Sequence, residues 1–213
     1  MKDLKKLLSG YKADDCQLHK KEVLYHGFFS MERYSLSYKS FDGSVIGPVE
    51  REIFERGMAA AVIPYDPVND KLVLIEQFRP GCLVPNEPTP WSVEIVAGII
   101  DAGEDGLTTV KREMVEETGL ALSEVEKVYS FFTTPGGCTE RIDLFVGRVD
   151  ASLAGGIHGL ATEGESIRVF TVSPDEALEM CNQGLIRNAI ALVGIQYLYM
   201  NRSALKSRWE CTK

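Results

Sequence analysis

The 213-residue sequence is notable first for what it does not contain. No apolar run reaches membrane-spanning length, and the stretch MKDLKKLLSGYKADD lacks both the long apolar segment and the small-residue cleavage site of a secretory signal. Cys16, Cys82, Cys138, Cys181 and Cys211 are odd in number, scattered, and form no C-x-x-C pair, which reads as free thiols in a reducing cytosol. The expected location is therefore cytoplasmic, with no membrane partner. His19, His26 and His158 are too far apart in sequence to form an obvious metal set. Neither G-x-G-x-x-G nor a Walker lysine motif occurs, so nothing suggests a dinucleotide or P-loop fold. Positive charge is also scarce. With 23 Lys and Arg against 31 Asp and Glu, the net charge is −8, which argues against a nucleic-acid backbone as partner. A small phosphorylated substrate stays compatible, because local cations can hold phosphate within an acidic protein.

What is present is an ordinary globular composition, 45% hydrophobic and 25% charged, at a length suited to one main domain plus a modest extra element. Residues 22–41 are rich in aromatic and β-branched side chains, and the alternation Tyr34, Leu36, Tyr38 predicts an antiparallel hairpin turning at Gly27 or Ser30. Turn chemistry at Asp42-Gly43 and an extended pattern over 49–54 complete a small β-rich subdomain, residues 1–56, ahead of a main domain, 57–213. In the main domain, strands are expected at 58–65, 71–77, 93–96, 125–133 and 142–149, and loops at 79–90 and 155–165. Helices are expected at 106–118, 174–182 and 189–198. This mixture predicts an α+β fold: a mixed sheet in an α/β/α sandwich, with a small N-terminal antiparallel β subdomain.

The first helix carries the chemistry. Asp105 is its expected N-cap, Gly119 its stop, and Leu107, Val110 and Met114 its apolar stripe. Glu113, Glu116 and Glu117 follow one another at i, i+3 and i+4, so at about 100° per residue they share a face. Like charges so placed repel, and they stand in the half of the helix where the macrodipole disfavours anions. Arg112 can pair with Glu116 at i+4, but one guanidinium leaves the face negative. Such faces are commonly just solvated. A hard divalent cation such as Mg²⁺, which prefers carboxylate oxygens and bridges to phosphate, is the alternative.

The wider spacing decides between these readings. Gly98, five residues, Glu104, seven residues, then Arg112-Glu113-Met114-Val115-Glu116-Glu117-Thr118-Gly119-Leu120 matches G-x5-E-x7-R-E-U-x-E-E-x-G-U, with U apolar. Chance agreement is on the order of one window in 10⁹ at average residue frequencies. This is the box of the Nudix hydrolases, and the chain resembles, over about 28–209, the bacterial members that cleave ADP-ribose.

The resemblance implies metal ligands at Glu113, Glu116, Glu117 and the Ala97 carbonyl, with Arg112 and Glu104 in support. It implies two or three Mg²⁺ ions, with Mn²⁺ as an alternative. Pro135, in Pro135-Gly136-Gly137 some 15 residues past the box, resembles the mark of the ADP-ribose subgroup. Glu140 matches a substrate-contacting acid, Arg79 a phosphate-contacting arginine, and Phe28 and Arg51 an adenine sandwich. The segment from Gly159 to Arg168 resembles a mobile catalytic loop, in which Glu163 is expected as general base and Glu165 as runner-up or added ligand. The implied reaction is hydrolysis of ADP-ribose to AMP and ribose 5-phosphate by a homodimer with exchanged N-terminal parts. A GDP-mannose hydrolase, or a silent module that only binds ADP-ribose, are the competing expectations.

Overall fold

The computed structural model describes residues 3–210; Cys211, one of the expected free thiols, lies outside the described residues. The chain divides into two compact units, Met1–Gly57 with Thr134–Glu140, and Met58–Thr133 with Arg141–Lys213.

The first unit is built on three antiparallel strands in the order β1-β2-β3: β1 (Cys16–His26), β2 (Ser30–Lys39) and β3 (Val45–Glu55). The expected hairpin exists, but β1 starts at Cys16 rather than residue 22, and β3 starts at Val45 rather than 49. These outer segments are exposed on both faces, so they lack the half-buried alternation by which a strand is read, and backbone pairing extends them. The turn lies at Gly27–Phe29, where the Gly27 N–H donates to the Phe29 carbonyl, and Ser30 already belongs to β2. Residues of Thr134–Glu140 join β3 through main-chain bonds: Phe54 N–H to Gly137 O (2.8 Å) and Thr139 N–H to Phe54 O (3.1 Å). The Thr139 hydroxyl accepts from the Arg56 N–H and donates to Glu55.

The second unit centres on a mixed sheet, and the α+β class expected from sequence is what is found. Its path is β10-β11-β5-β4-β9-β8: β4 (Met58–Asp66), β5 (Lys71–Phe78), β8 (Glu124–Phe132), β9 (Arg141–Arg148), β10 (Ile157–His158) and β11 (Ile167–Val172). β4 runs parallel to β9, and the other pairings are antiparallel. The single strand expected at 93–96 is two, β6 (Trp91–Glu94) on β5 and β7 (Val96–Ile99) on β4, the chain changing partners at Ile95. β11 was not foreseen: its residues follow a glycine-bearing loop and precede a helix, and Arg168 interrupts the apolar pattern.

Both faces of this sheet are covered, which explains why β4 reads as an unbroken apolar run. Ala61, Ile63 and Tyr65 point into one core with Leu72, Leu74, Ile142 and Leu144. That core is closed by α2 (Pro174–Asn182) and α3 (Ala189–Glu210). Ala60 and Val62 point to the other face with Val73, Ile75, Phe145 and Ile167, under Val110 and Met114 of α1 (Gly106–Thr118). α3 is longer than the expected 189–198, because Leu205 and Trp209 continue the buried stripe of Leu198 past polar residues that hid it. The Trp209 ring lies 6.5 Å from Tyr65, and its indole N–H donates to Glu126.

The β4–β5 turn is held by Asp66, a buried carboxylate that accepts from the N–H groups of Val68, Asn69 and Ala151, each at 2.9 Å, and from the Asn69 side chain at 2.8 Å. Burial alone would raise its pKa, but the hydrogen bonds outweigh it and hold the carboxyl below the ordinary 3.8. A depressed folded pKa gives stability that is complete above the unfolded value and disappears as pH falls through the folded one. Asp66→Asn, which presents NH₂ to two donors, should therefore lower unfolding stability by about 2 kcal/mol at pH 7. In urea titrations the gap to wild type should narrow below the ordinary value of 3.8. A gap that stays constant into acid would mean the charge contributes nothing.

Candidate active site

α1 forms where the sequence placed it. The Asp105 side chain accepts from the Thr108 N–H at 2.8 Å, and Gly119 ends the helix in the left-handed region at φ 71°, its N–H donating to Val115 O. The apolar stripe differs at one position. Val110 and Met114 are buried, but Leu107, in the first turn, is partly exposed, and Thr109 is buried instead, its hydroxyl donating to Glu104 at 3.0 Å.

Arg112 organises the carboxylates. Its Nη1 donates to Glu113 at 2.7 Å and to Glu116 at 2.9 Å, while Nε and Nη2 each reach a Glu104 oxygen at 3.2 Å. Nη2 also reaches the Ile99 carbonyl, and Asp101 stands 3.8 Å away. One guanidinium thus joins Glu104, before the helix, to two of the three helix glutamates. The third, Glu117, is only 3% exposed and takes the Ala97 N–H at 3.3 Å. Burial, then repulsion from Glu113, pushes its pKa well above the ordinary carboxylate value. Burial also raises Glu113, to about 7, Arg112 opposing the shift and Glu116 and Glu165 adding to it.

β7 supplies the other side. Ala97 and Gly98 pair with Ala61 and Ala60 of β4, which sets them beside the helix face. A Cβ on Gly98 would lie 1.8 Å from Glu113 Oε1, so the glycine makes the space that this carboxylate fills. Arg79, just past β5, makes a bidentate pair with Glu94 of β6, at 2.8 to 3.2 Å, and Glu94 is itself 4% exposed. Burial opposes charge on Arg79, but Glu94 first, with Glu117 and Glu165 behind it, keeps the guanidinium protonated. Glu94 was not singled out from sequence: a lone Glu in a strand carries no motif, and only the return of Arg79 reveals it.

The loop glutamates differ from each other. Glu165 is half-buried, accepts the Leu160 N–H at 3.1 Å and adds to the charge felt by Glu113 and Glu117. Glu163 is exposed on a short 3-10 turn, Ala161–Glu163, and among the described residues its carboxylate has no hydrogen-bond partner. Gly159 and Gly164, at φ 96° and 72°, flank this stretch, and the Gly159 N–H caps the Glu116 carbonyl at the end of α1.

In the first unit, Phe28 is 87% exposed and meets Phe29 edge-on. Arg51 is exposed, bonding only the neighbouring Glu50 carbonyl among the described contacts. Since Ser30 pairs with Glu55 and Tyr34 with Arg51, Arg51 lies four pairs from the Ser30 end of the sheet, about 13 Å along the strand. Glu140 is engaged by Arg56 at 3.1 Å, and that guanidinium also lies over the Phe29 ring at 4.9 Å. Arg56, which belongs to no motif legible in the sequence, is therefore the partner that sequence reading missed.

A divalent cation suits this donor set. The helix offers hard oxygens, and Glu117 is buried among like charges while Arg79 and Arg112 are already engaged. As the side chains stand, no three His, Cys, Asp or Glu among the described residues are gathered into a ready-made ligand cluster, and Arg112 Nη1 bridges Glu113 and Glu116.

Comparison with known proteins gives the family. The NUDIX domain matches residues 55–191, and the chain belongs to the Nudix family. It is 44% identical over 196 residues to the ADP-ribose pyrophosphatase of Escherichia coli (strain K12), covering 92% of this chain and 93% of that protein. It is 35% identical over 185 residues to the GDP-mannose pyrophosphatase of Cronobacter sakazakii, covering 86% and 95%. The crystal structure of an ADP compounds hydrolase shares the fold, with a TM-score of 0.68 at 17% identity over 93% of this chain and 98% of that one.

The φ of Gly98 is not in the left-handed region, so Gly98→Ala strains no backbone, and the atoms nearest its Cβ are those of the Glu113 side chain from Cγ to Oε1. The variant should melt within a few degrees of wild type, while a crystal structure shows the Glu113 carboxylate displaced and nucleotide hydrolysis falls at least about tenfold. Wild-type activity in this variant would mean that the Glu113 position is immaterial.

Proposed function

We propose that the protein hydrolyses the pyrophosphate bond of ADP-ribose to AMP and ribose 5-phosphate, with a divalent cation, Mg²⁺ or Mn²⁺, as cofactor. The observation that carries this is the complete set of box residues, linked by Arg112, in a chain 44% identical to an ADP-ribose pyrophosphatase along nearly its whole length. The relative that acts on GDP-mannose is less similar, at 35%.

Glu113, Glu116, Glu117 and the Ala97 carbonyl would hold two or three cations, which when bound neutralise the diphosphate and acidify a water. Arg112 and Glu104 fix the carboxylates in direction, as charged ligands require. Arg79 supplies guanidinium N–H groups to a phosphate oxygen. Glu163, at the loop tip and unengaged, takes the proton from water as the new P–O bond forms and the bridging P–O bond breaks; Glu165, held at the loop base, belongs with the ligands. Phe28 and Arg51 stack on adenine, and Glu140 accepts from the terminal ribose. In a homodimer with exchanged N-terminal subdomains, Phe28 and Arg51 would both serve the neighbouring copy's site. The domain assignment behind this is 1–56 for adenine contact and dimerisation and 57–213 for catalysis. A cytoplasmic setting fits the unbridged Cys16, Cys82, Cys138 and Cys181, and no described helix is long and apolar enough to cross a membrane.

Initial rates on ADP-ribose, GDP-mannose and other nucleoside diphosphate sugars, with Mg²⁺ added and with chelator, test the proposal directly. ADP-ribose should give the highest kcat/KM, and chelator should abolish it. A preference for GDP-mannose would transfer the chemistry to another substrate, and full activity in chelator would exclude the metal. Among the loop variants, Glu163→Gln should lower kcat by about 10²- to 10⁴-fold with metal affinity unchanged. Glu165→Gln should instead weaken metal binding and recover in part at higher Mg²⁺. The reverse ordering exchanges the two roles.

A further inference from the structure

Gln77 belongs to no motif, yet its Nε2 is one of three buried side-chain atoms among the described residues without a hydrogen-bond partner. The residue is 4% exposed. A buried amide without an acceptor is costly, so an acceptor that comes within its reach in another state of the site would be bound.

Position on the sheet identifies that acceptor. Val73 and Ile75 of β5 face α1, so by alternation Gln77 faces the same side. On the neighbouring strand Ser92 pairs with Gln77 and Glu94 with Ile75, which makes Gln77 and Glu94 diagonal neighbours about 7 Å apart, within reach of two long side chains. Arg79 stands two residues past Gln77 in extended conformation, on the same side, and its guanidinium turns back to Glu94. Its side chain therefore runs past Gln77 to reach its partner. Among the described residues, every charged hydrogen bond that holds Glu94 comes from Arg79. If Arg79 is to meet a phosphate, the buried Glu94 carboxylate loses its cation, which in a buried site is strongly unfavourable unless another donor arrives.

We propose that Gln77 is a positioning residue for the hydrolysis: its carboxamide takes the Glu94 carboxylate when Arg79 turns from Glu94 to an oxygen of the substrate diphosphate. Gln77 thereby lowers the free-energy cost of releasing Arg79 for substrate. This rests on the reading of Arg79 as a phosphate contact.

A double-mutant cycle in the full-length protein tests it, using Gln77→Met, similar in shape but without a donor, and Glu94→Gln, which removes the charge that needs one. Kinetics are measured on whichever nucleoside diphosphate sugar wild type turns over fastest, so a wrong substrate shows in wild type and a wrong role for Gln77 only in the variants. Gln77→Met should raise KM about tenfold, the scale of one hydrogen bond to a charged group, with kcat within about twofold and the melting temperature equal or higher. In the Glu94→Gln background the same substitution should change KM by less than about twofold. An unchanged KM, an equal effect in both backgrounds, or a variant that fails to fold would each overturn the proposal, the last because removing an unpartnered donor removes a penalty.

Discussion

The constraint on which the second unit turns is the confinement of negative charge on one face of α1. Glu113, Glu116 and Glu117 cannot separate, since helix geometry fixes their spacing, and Glu117 cannot reach water, since it lies against β7. Every neighbouring feature answers this repulsion. Arg112 ties Glu104, Glu113 and Glu116 together, Gly98 leaves room for one carboxylate, and the Ala97 N–H meets another. Val110 and Met114 seat the helix firmly enough that the charged face cannot turn away.

A site built this way is a compromise between stability and use. Buried carboxylates among like charges destabilise the fold, as the raised pKa of Glu113 and Glu117 expresses. The sheet absorbs that cost through two apolar cores and through fully engaged charges elsewhere, Asp66 at the β4–β5 turn being the clearest. The same economy runs through the Arg79–Glu94 pair, in which a buried carboxylate keeps a guanidinium ordered and charged near the helix glutamates. The first unit shows a parallel arrangement, with Arg56 held between Glu140 and the Phe29 ring on a loop that Thr139 fastens to β3.

Sequence by itself determined what depends on local spacing. The limits of α1, its caps, the shared face of the glutamates and the Arg112–Glu116 pair are fixed by helical period, and β4, β5, β8 and β9 by apolar pattern. Tertiary structure alone decided whatever joins distant residues. The transfer of the chain from β5 to β4 at Ile95, the strand Ile167–Val172 and the last turns of α3 depend on partners supplied by other elements, and composition does not name those partners. Glu94, Arg56 and Gln77 were illegible for the same reason. A lone polar residue in a strand or just past its end looks like any surface position until tertiary pairing sets it beside its partner, and such pairing is a long-range property that local chemistry does not encode.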